Sequence, residues 1–230
     1  LNEKYHMWKN NVINSFYSKE FSEGDTDDVV ITDMGTNIVE YIVDESLSQE
    51  SGLNRFHWTM RHSGAWRKED DRRFKNGPIA APGTYTAKLT VGDKALEQPF
   101  QLIIDPRVVA GGTSAAHITT QVELELQIID LLTNTRRLEA SLSREHEELT
   151  EKLATESLTA SETARLELLN AVLPQVKTED EIYPMPMLTD QVNYLYNMIA
   201  SADQLPGADA VDRYAELKEN YDEILAQITE

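Results

Sequence analysis

The chain of 230 residues holds 40 acidic against 21 basic side chains, a net charge of −19, with 40% hydrophobic content, enough to bury real cores in one or two domains. Phosphate contacts need clustered Lys and Arg, so this balance argues against nucleic acid as a partner, and the absence of cysteine excludes disulfides and thiolate metal sites. No stretch reaches the roughly 18 uninterrupted apolar residues of a membrane helix, so no transmembrane segment is expected.

The first residues, Leu1-Asn-Glu-Lys4, supply neither a start methionine nor a signal peptide, and read as the edge of a longer protein or a processed product. Residues 1–24 scatter Tyr5, Trp8, Phe16, Tyr17 and Phe21 among polar neighbours, as a linker or the end of a preceding domain would. An acidic turn at Glu23–Asp28 leads into Val29-Val-Ile31. A Met34-Gly35 turn then separates it from Ile38-Val-Glu-Tyr-Ile-Val43, the pattern of an antiparallel hairpin. Gly52–Met60 alternates polar and apolar residues and reads as another strand. Two more strands follow at about 84–91 and 97–104, turning at Gly92-Asp93. Between them lies a long charged loop, His62–Gly77, closed by Gly77-Pro78 and Pro82-Gly83 turns. Six or so short strands with intervening turns predict an immunoglobulin-like antiparallel β-sandwich over residues 25–108.

Pro106 and Gly111-Gly-Thr-Ser-Ala115 mark a domain boundary. From His117 the positions Leu124, Ile128, Leu131, Leu138, Leu142, Leu149 and Leu153 recur at threes, fours and sevens and place one apolar stripe on a long helix. Thr159-Ala-Ser-Glu162 is a capping box opening a second helix through Leu166, Leu169 and Leu173, which Pro174 and then Pro184-Met-Pro186 interrupt. A third helix aligns Leu188, Val192, Leu195 and Ile199 before Pro206-Gly207. A fourth, from about Asp209, aligns Val211, Tyr214, Leu217, Tyr221, Ile224 and Ile228. The expectation for 115–229 is an antiparallel helical bundle, and for the whole chain an α+β architecture of two domains. The segment from Gly111 onward carries 23 acidic and 8 basic residues, a charge that reads as a solvated outer face.

Gly52-Leu-Asn-Arg-Phe-His-Trp-Thr-Met-Arg61, Gly77-Pro-Ile-Ala-Ala-Pro-Gly-Thr-Tyr-Thr86 and Ile104-Asp-Pro-Arg107 resemble the carboxy-terminal region of large bacterial sortilin-like proteins with BNR-repeat β-propellers. Met187–Tyr196, Ser201–Gln204 and Pro206–Asp209 are similar to that family's terminal helices. The resemblance spans roughly residues 28–229. It implies an extracytoplasmic parent protein, secreted, periplasmic or surface-linked, of which this chain is the accessory tail. The Ser-x-Asp-x-Gly-x-Thr-Trp box of BNR blades is absent from these 230 residues, so a hydrolase site built on blades would lie outside them.

The best functional candidate is the loop containing His62, Trp66, Arg67, Arg72, Arg73 and Phe74. From Arg55 to Lys75 seven basic residues face three acidic ones, a positive island in an acidic chain. Its first reading is docking, against the acidic helices or a missing domain, with Trp66 buried. Its second is recognition, because aromatics beside arginines stack on sugar rings or grip carboxylates. Phe56, Trp58 and Tyr85 read as core packing, and Tyr194, Tyr196, Tyr214 and Tyr221 as interhelical packing or a protein interface.

The five histidines show no metal spacing, Asp25, Asp27 and Asp28 miss the EF-hand pattern, and Glu69-Asp70-Asp71 does not set an opposed acid and base. No catalytic residue, metal or cofactor is therefore predicted. The function expected is a non-catalytic structural and interaction module whose partners are preceding β-propeller domains or a protein assembly. The alternative is a carbohydrate-binding accessory domain of a polysaccharide-acting glycoside hydrolase, taking a glycan through Trp66 and Arg67.

Overall fold

The computed structural model describes residues 16–18, 28–33, 41–42, 52–56, 58–67, 77–91 and 93–229. The chain parts into two compact units. The first holds Leu1–Ser63 and Ile79–Thr119; the second holds Gly64–Pro78 and Thr120–Glu230.

The first unit is built on the hairpin that the Gly83–Leu102 alternation dictates. Strand β5 (Gly83–Val91) pairs antiparallel with β6 (Lys94–Leu102), running from Gly83 opposite Leu102 to Val91 opposite Lys94. β2 (Asp28–Asp33) lies on the other side of β5 and carries β3 (Tyr41–Ile42), giving the order β3-β2-β5-β6. A separate pair joins β1 (Phe16–Ser18) to β4 (Gly52–Asn54).

On β5 the odd residues Tyr85, Ala87 and Leu89 are buried, as the strand period of two requires. They meet Trp58, Met60 and Ala80, with Phe56, Ile79, Phe100 and Leu102 at the margin. Trp58, Tyr85 and Phe100 form an aromatic triangle with ring centroids 5.5 to 5.9 Å apart, inside the range of favourable ring pairs. The Tyr85 hydroxyl donates to the Ala81 carbonyl at 2.6 Å.

This arrangement corrects the expected immunoglobulin-like sandwich followed by a bundle. A sandwich needs two sheets facing each other across one core. Among the described residues, the sheet's buried face is covered instead by Trp58, Met60 and Ala80, which lie outside any strand. The alternation in Gly52–Met60 correctly places Trp58 and Met60 inside and Thr59 outside. The β4 ladder nevertheless ends at Asn54, Arg61 makes an isolated bridge to Ile79, and Met60 turns the backbone at φ 58°. Period-two burial here reports which side chains face the core, not a hydrogen-bonded strand. Most of β6 is exposed, so no second layer covers it among the described residues.

Pro106 ends the strand pattern by starting a short helix, α1 (Pro106–Ala110). Asp105 caps it by accepting from the Arg107 amide at 2.8 Å and from the same residue's guanidinium at 2.7 Å. Proline suits this first helical position because its missing N–H would have no partner there.

Helix dominates the second unit. α2 (Ala115–Thr155) is 41 residues long, followed by α3 (Ala160–Val176), α4 (Leu188–Ile199) and α5 (Ala208–Thr229). Leu124, Ile128, Leu131 and Leu142 are buried at the predicted stripe, joined by Ile129 and Leu132, while Leu153 is exposed. They pack with Leu169, Val172 and Val176 of α3, Val192 and Leu195 of α4, and Leu217 and Ile224 of α5. Tyr196 is buried and Tyr214 and Tyr221 are partly buried against this core, while Tyr194 is exposed, so the four tyrosines share no single face.

The capping box forms as written: Thr159 Oγ1 accepts from the Glu162 amide and the Glu162 carboxylate accepts from the Thr159 amide. Pro174, expected to interrupt this helix, lies inside it. The missing amide removes one hydrogen bond near the end of α3, but continuing for two residues buries Val176 completely, and that burial prevails.

Leu217 is fully buried in this core, so Leu217→Ala should lower the unfolding free energy by about 2–5 kcal/mol; a loss below about 1 kcal/mol in urea titration would show that α5 does not close the core. The Glu162 carboxyl is held at about 2, against an ordinary value of 4.5, first by the hydrogen bond from Lys152, then by the Thr159 amide and hydroxyl. A depressed carboxyl stabilises the fold above its unfolded value and loses that contribution as pH falls from about 4.5 through about 2. The Tm gap between wild type and Glu162→Gln should therefore be widest near neutral pH and close through this window, and a gap independent of pH would refute the coupling.

Candidate functional site

Thr133, Arg136 and Arg137 stand three and four residues apart on α2 and so share one helix face. Gly64–Arg67 lies on that face. The Trp66 amide donates to Thr133 Oγ1 at 3.2 Å, and Arg136 Nη1 donates to the Trp66 carbonyl at 3.3 Å. The Arg137 guanidinium sits 5.9 Å from the Trp66 ring centroid, within cation–π range, and Ala65 packs against the helical core. Arg136 also donates through Nη2 to Asn193 Oδ1 of α4 at 3.2 Å. One half-buried guanidinium thus ties the loop, α2 and α4 together.

Beside this knot a cleft of about 410 Å³ opens, bounded by Trp66 and Arg67, by α2, and by the start of α4. Its bases are Arg67, Arg136 and Lys177, its acids Glu139, Glu147 and Asp190, and its hydroxyls Ser143 and Thr189. The volume is that of a small-molecule site. Thr189 is buried and its Oγ1 has no hydrogen-bond partner among the described residues, a costly state for a hydroxyl. Met187, the N-cap of α4, provides no side-chain cap, and Asp190 stands in the first turn, where its charge answers the helix dipole.

Burial lowers the Arg136 pKa from its ordinary value and the positive charge of Arg67 adds to the effect, against which Glu139 and Asp190 pull it up. Arg136 remains charged, as arginine does in proteins.

The pairing of the other bases sharpens this. From Gly111 onward, Arg144, Lys152, Arg165, Arg213 and Lys218 each bridge a carboxylate, and Arg137 covers Trp66. The two remaining bases of that segment, Arg136 and Lys177, make no ion pair with a described carboxylate, and both line the cleft with Arg67.

Of the predicted loop residues, the structure brings Trp66 and Arg67 to the cleft. His62 is buried in the first unit. Arg72, Arg73 and Phe74 lie outside the described residues, as do Asp25 and Asp27. Sequence reading missed Arg136, Lys177 and Thr189. The pair Arg136-Arg137 inside an otherwise acidic helix was the available signal.

A second feature lies among residues that do not line the cleft. In the segment between α3 and α4, Ile182 is 89%, Tyr183 93% and Met185 79% exposed. Among the described residues no group of three His, Asp or Glu could hold a metal ion, and no described helix is long and apolar enough to cross a membrane. No family model, no curated protein and no solved structure matches the chain.

Arg136→Ala removes two charged hydrogen bonds of moderate length and should cost about 1–3 kcal/mol, with faster proteolysis at the Gly64–Arg67 loop. Unchanged stability and an equally resistant loop would show that Arg136 does not hold this segment.

Proposed function

We propose that the chain is a non-catalytic interaction module of a larger extracytoplasmic protein, positioning that protein or attaching it to an assembly without bond chemistry. The observation that carries this reading is the Ile182-Tyr-Pro-Met185 segment. Three large apolar side chains within four residues are almost wholly in water, and such clustered exposure marks interaction surfaces. Pro184 and Pro186 restrict the backbone beforehand, which lowers the entropy lost on docking. Glu179, Asp180 and Glu181 directly precede the segment, so the partner surface it fits is an apolar groove with a basic rim. The segment is fastened close to α4, where the Met187 amide donates to Thr178 Oγ1 at 3.0 Å. The likeness of the sequence to the tails of sortilin-like β-propeller proteins supports preceding propeller domains as the partner.

A second reading is favoured by the cleft: a carbohydrate-binding accessory domain, with Trp66 offering an aromatic surface and Arg67 a charge at its rim.

The triple variant Ile182→Ser, Tyr183→Ser, Met185→Ser alters only exposed side chains and should leave Tm nearly unchanged. It should abolish the stoichiometric complex with the domains that precede the chain in its parent protein, assayed by titration calorimetry. Wild-type affinity in the triple variant would sink the docking reading.

A further inference from the structure

We infer that the cleft between Trp66, α2 and the start of α4 takes an acidic sugar, a pyranose bearing a carboxylate, with Arg67, Arg136 and Lys177 facing that carboxylate. The inference rests on the carbohydrate reading above and names its ligand class. Its starting point is charge accounting. In the segment from Gly111 onward, acids outnumber bases by 23 to 8, so an ion pair is within reach of nearly every base. Five take one, and Arg137 lies on Trp66. The two without a described carboxylate partner share a single cleft, where the loop delivers a third base, Arg67. A half-buried guanidinium that makes no ion pair is costly to hold near a second one, a cost that Glu139 and Asp190 offset only in part, and an incoming carboxylate relieves the remainder.

The other lining groups narrow the ligand. Glu139, Glu147 and Asp190 would repel a compact anion such as acetate that brings no donors. They suit a ligand that also carries hydroxyls, because a carboxylate accepts several O–H hydrogen bonds. Trp66 adds an indole to the cleft wall; Arg137 occupies one side of the ring, and the side that lines the cleft would meet the C–H face of a pyranose. A neutral sugar would satisfy the acids and the indole but could offer the three bases only neutral hydroxyl acceptors, which are weaker partners than a carboxylate. A carboxylated pyranose answers all three kinds of group, and the cleft, at about 410 Å³, is small enough to enclose only a short oligosaccharide.

The test is titration calorimetry of the intact chain with trigalacturonate, with cellotriose as the neutral sugar and acetate as the bare carboxylate. Trigalacturonate should bind about tenfold or more tightly than cellotriose, the ratio a charged hydrogen bond supplies, and added salt should weaken it. Arg67→Ala with Lys177→Ala changes two exposed side chains and should reduce that ratio to near one while leaving Tm intact. Equal binding of the two trisaccharides by the wild type would overturn the acidic-sugar inference while keeping the carbohydrate reading. No binding of either would remove both. Acetate displacing trigalacturonate at comparable concentration would reduce the site to a simple anion site and also overturn the inference.

Discussion

The second unit depends on α2 finding cover for one apolar stripe. At 41 residues this helix is about 60 Å long, and most helical stability in proteins comes from packing of an apolar face rather than intrinsic propensity. Ile128 and Leu132 are almost fully buried because α3, α4 and α5 supply Val172, Val192 and Leu217 against them. The three shorter helices have the same need in reverse. Pieces of 17, 12 and 22 residues pack on one another and share one core with the α2 stripe. A polar clamp ties the end of α4 to α2. Buried Gln121 donates to the Ile199 and Ala202 carbonyls and accepts from the Gln204 amide at 2.9 Å. It therefore answers backbone groups at the end of α4 that the chain reversal would otherwise strand.

That same dependence explains why the cleft sits where it does. The stripe is buried most completely between Leu124 and Leu142. On another face of this length of α2, Thr133 and Arg136 hold the backbone of Trp66. Cross-ties further along are polar and partly solvated, as in the Arg165–Glu145 bridge at 2.8 Å and the His146–Asn170 hydrogen bond at 2.9 Å. Such exposed pairs contribute little individually. The most completely buried part of α2 is thus where the loop is tied down, and a segment held in place beforehand loses less entropy in any docking event.

Much of the helical architecture was legible because periodicity of three and four records a burial stripe directly: Leu124, Ile128, Val192, Leu195 and Leu217 were all placed in the core by spacing. The Thr159–Glu162 box was legible because it satisfies backbone amides within four residues and needs no tertiary information. The sheet was less legible. Alternation at Phe56, Trp58 and Met60 reports sidedness, which an irregular segment can share with a strand, and this produced a sandwich layer that does not form. Pro174 misled for a related reason, since the local cost of a lost hydrogen bond was visible in sequence and the tertiary gain at Val176 was not. Within the site, composition singled out Trp66 and Arg67. Arg136, Lys177 and Thr189 belong to segments about 70 or more residues further on, and only the packing of α2 against α3 and α4 brings them together.

The net charge acquires a different meaning once pairing is considered. An excess of acid over a helical unit reads in sequence as a solvated face, and most of it is. Yet excess acid also makes an unpaired base informative, because a cation surrounded by carboxylates ordinarily finds one. Arg144 and Lys218 do so within a single turn of their own helices, with Glu148 and Asp222. Arg136 is instead fixed by neutral acceptors, the Trp66 carbonyl and the Asn193 side chain. Those bonds orient the guanidinium without neutralising it. An orientation set by neutral groups leaves the guanidinium without an ion pair, its charge offset only through space by Glu139 and Asp190. The physical distinction in this unit is therefore between bases consumed by the fold and bases that the fold holds in place while leaving their charge available.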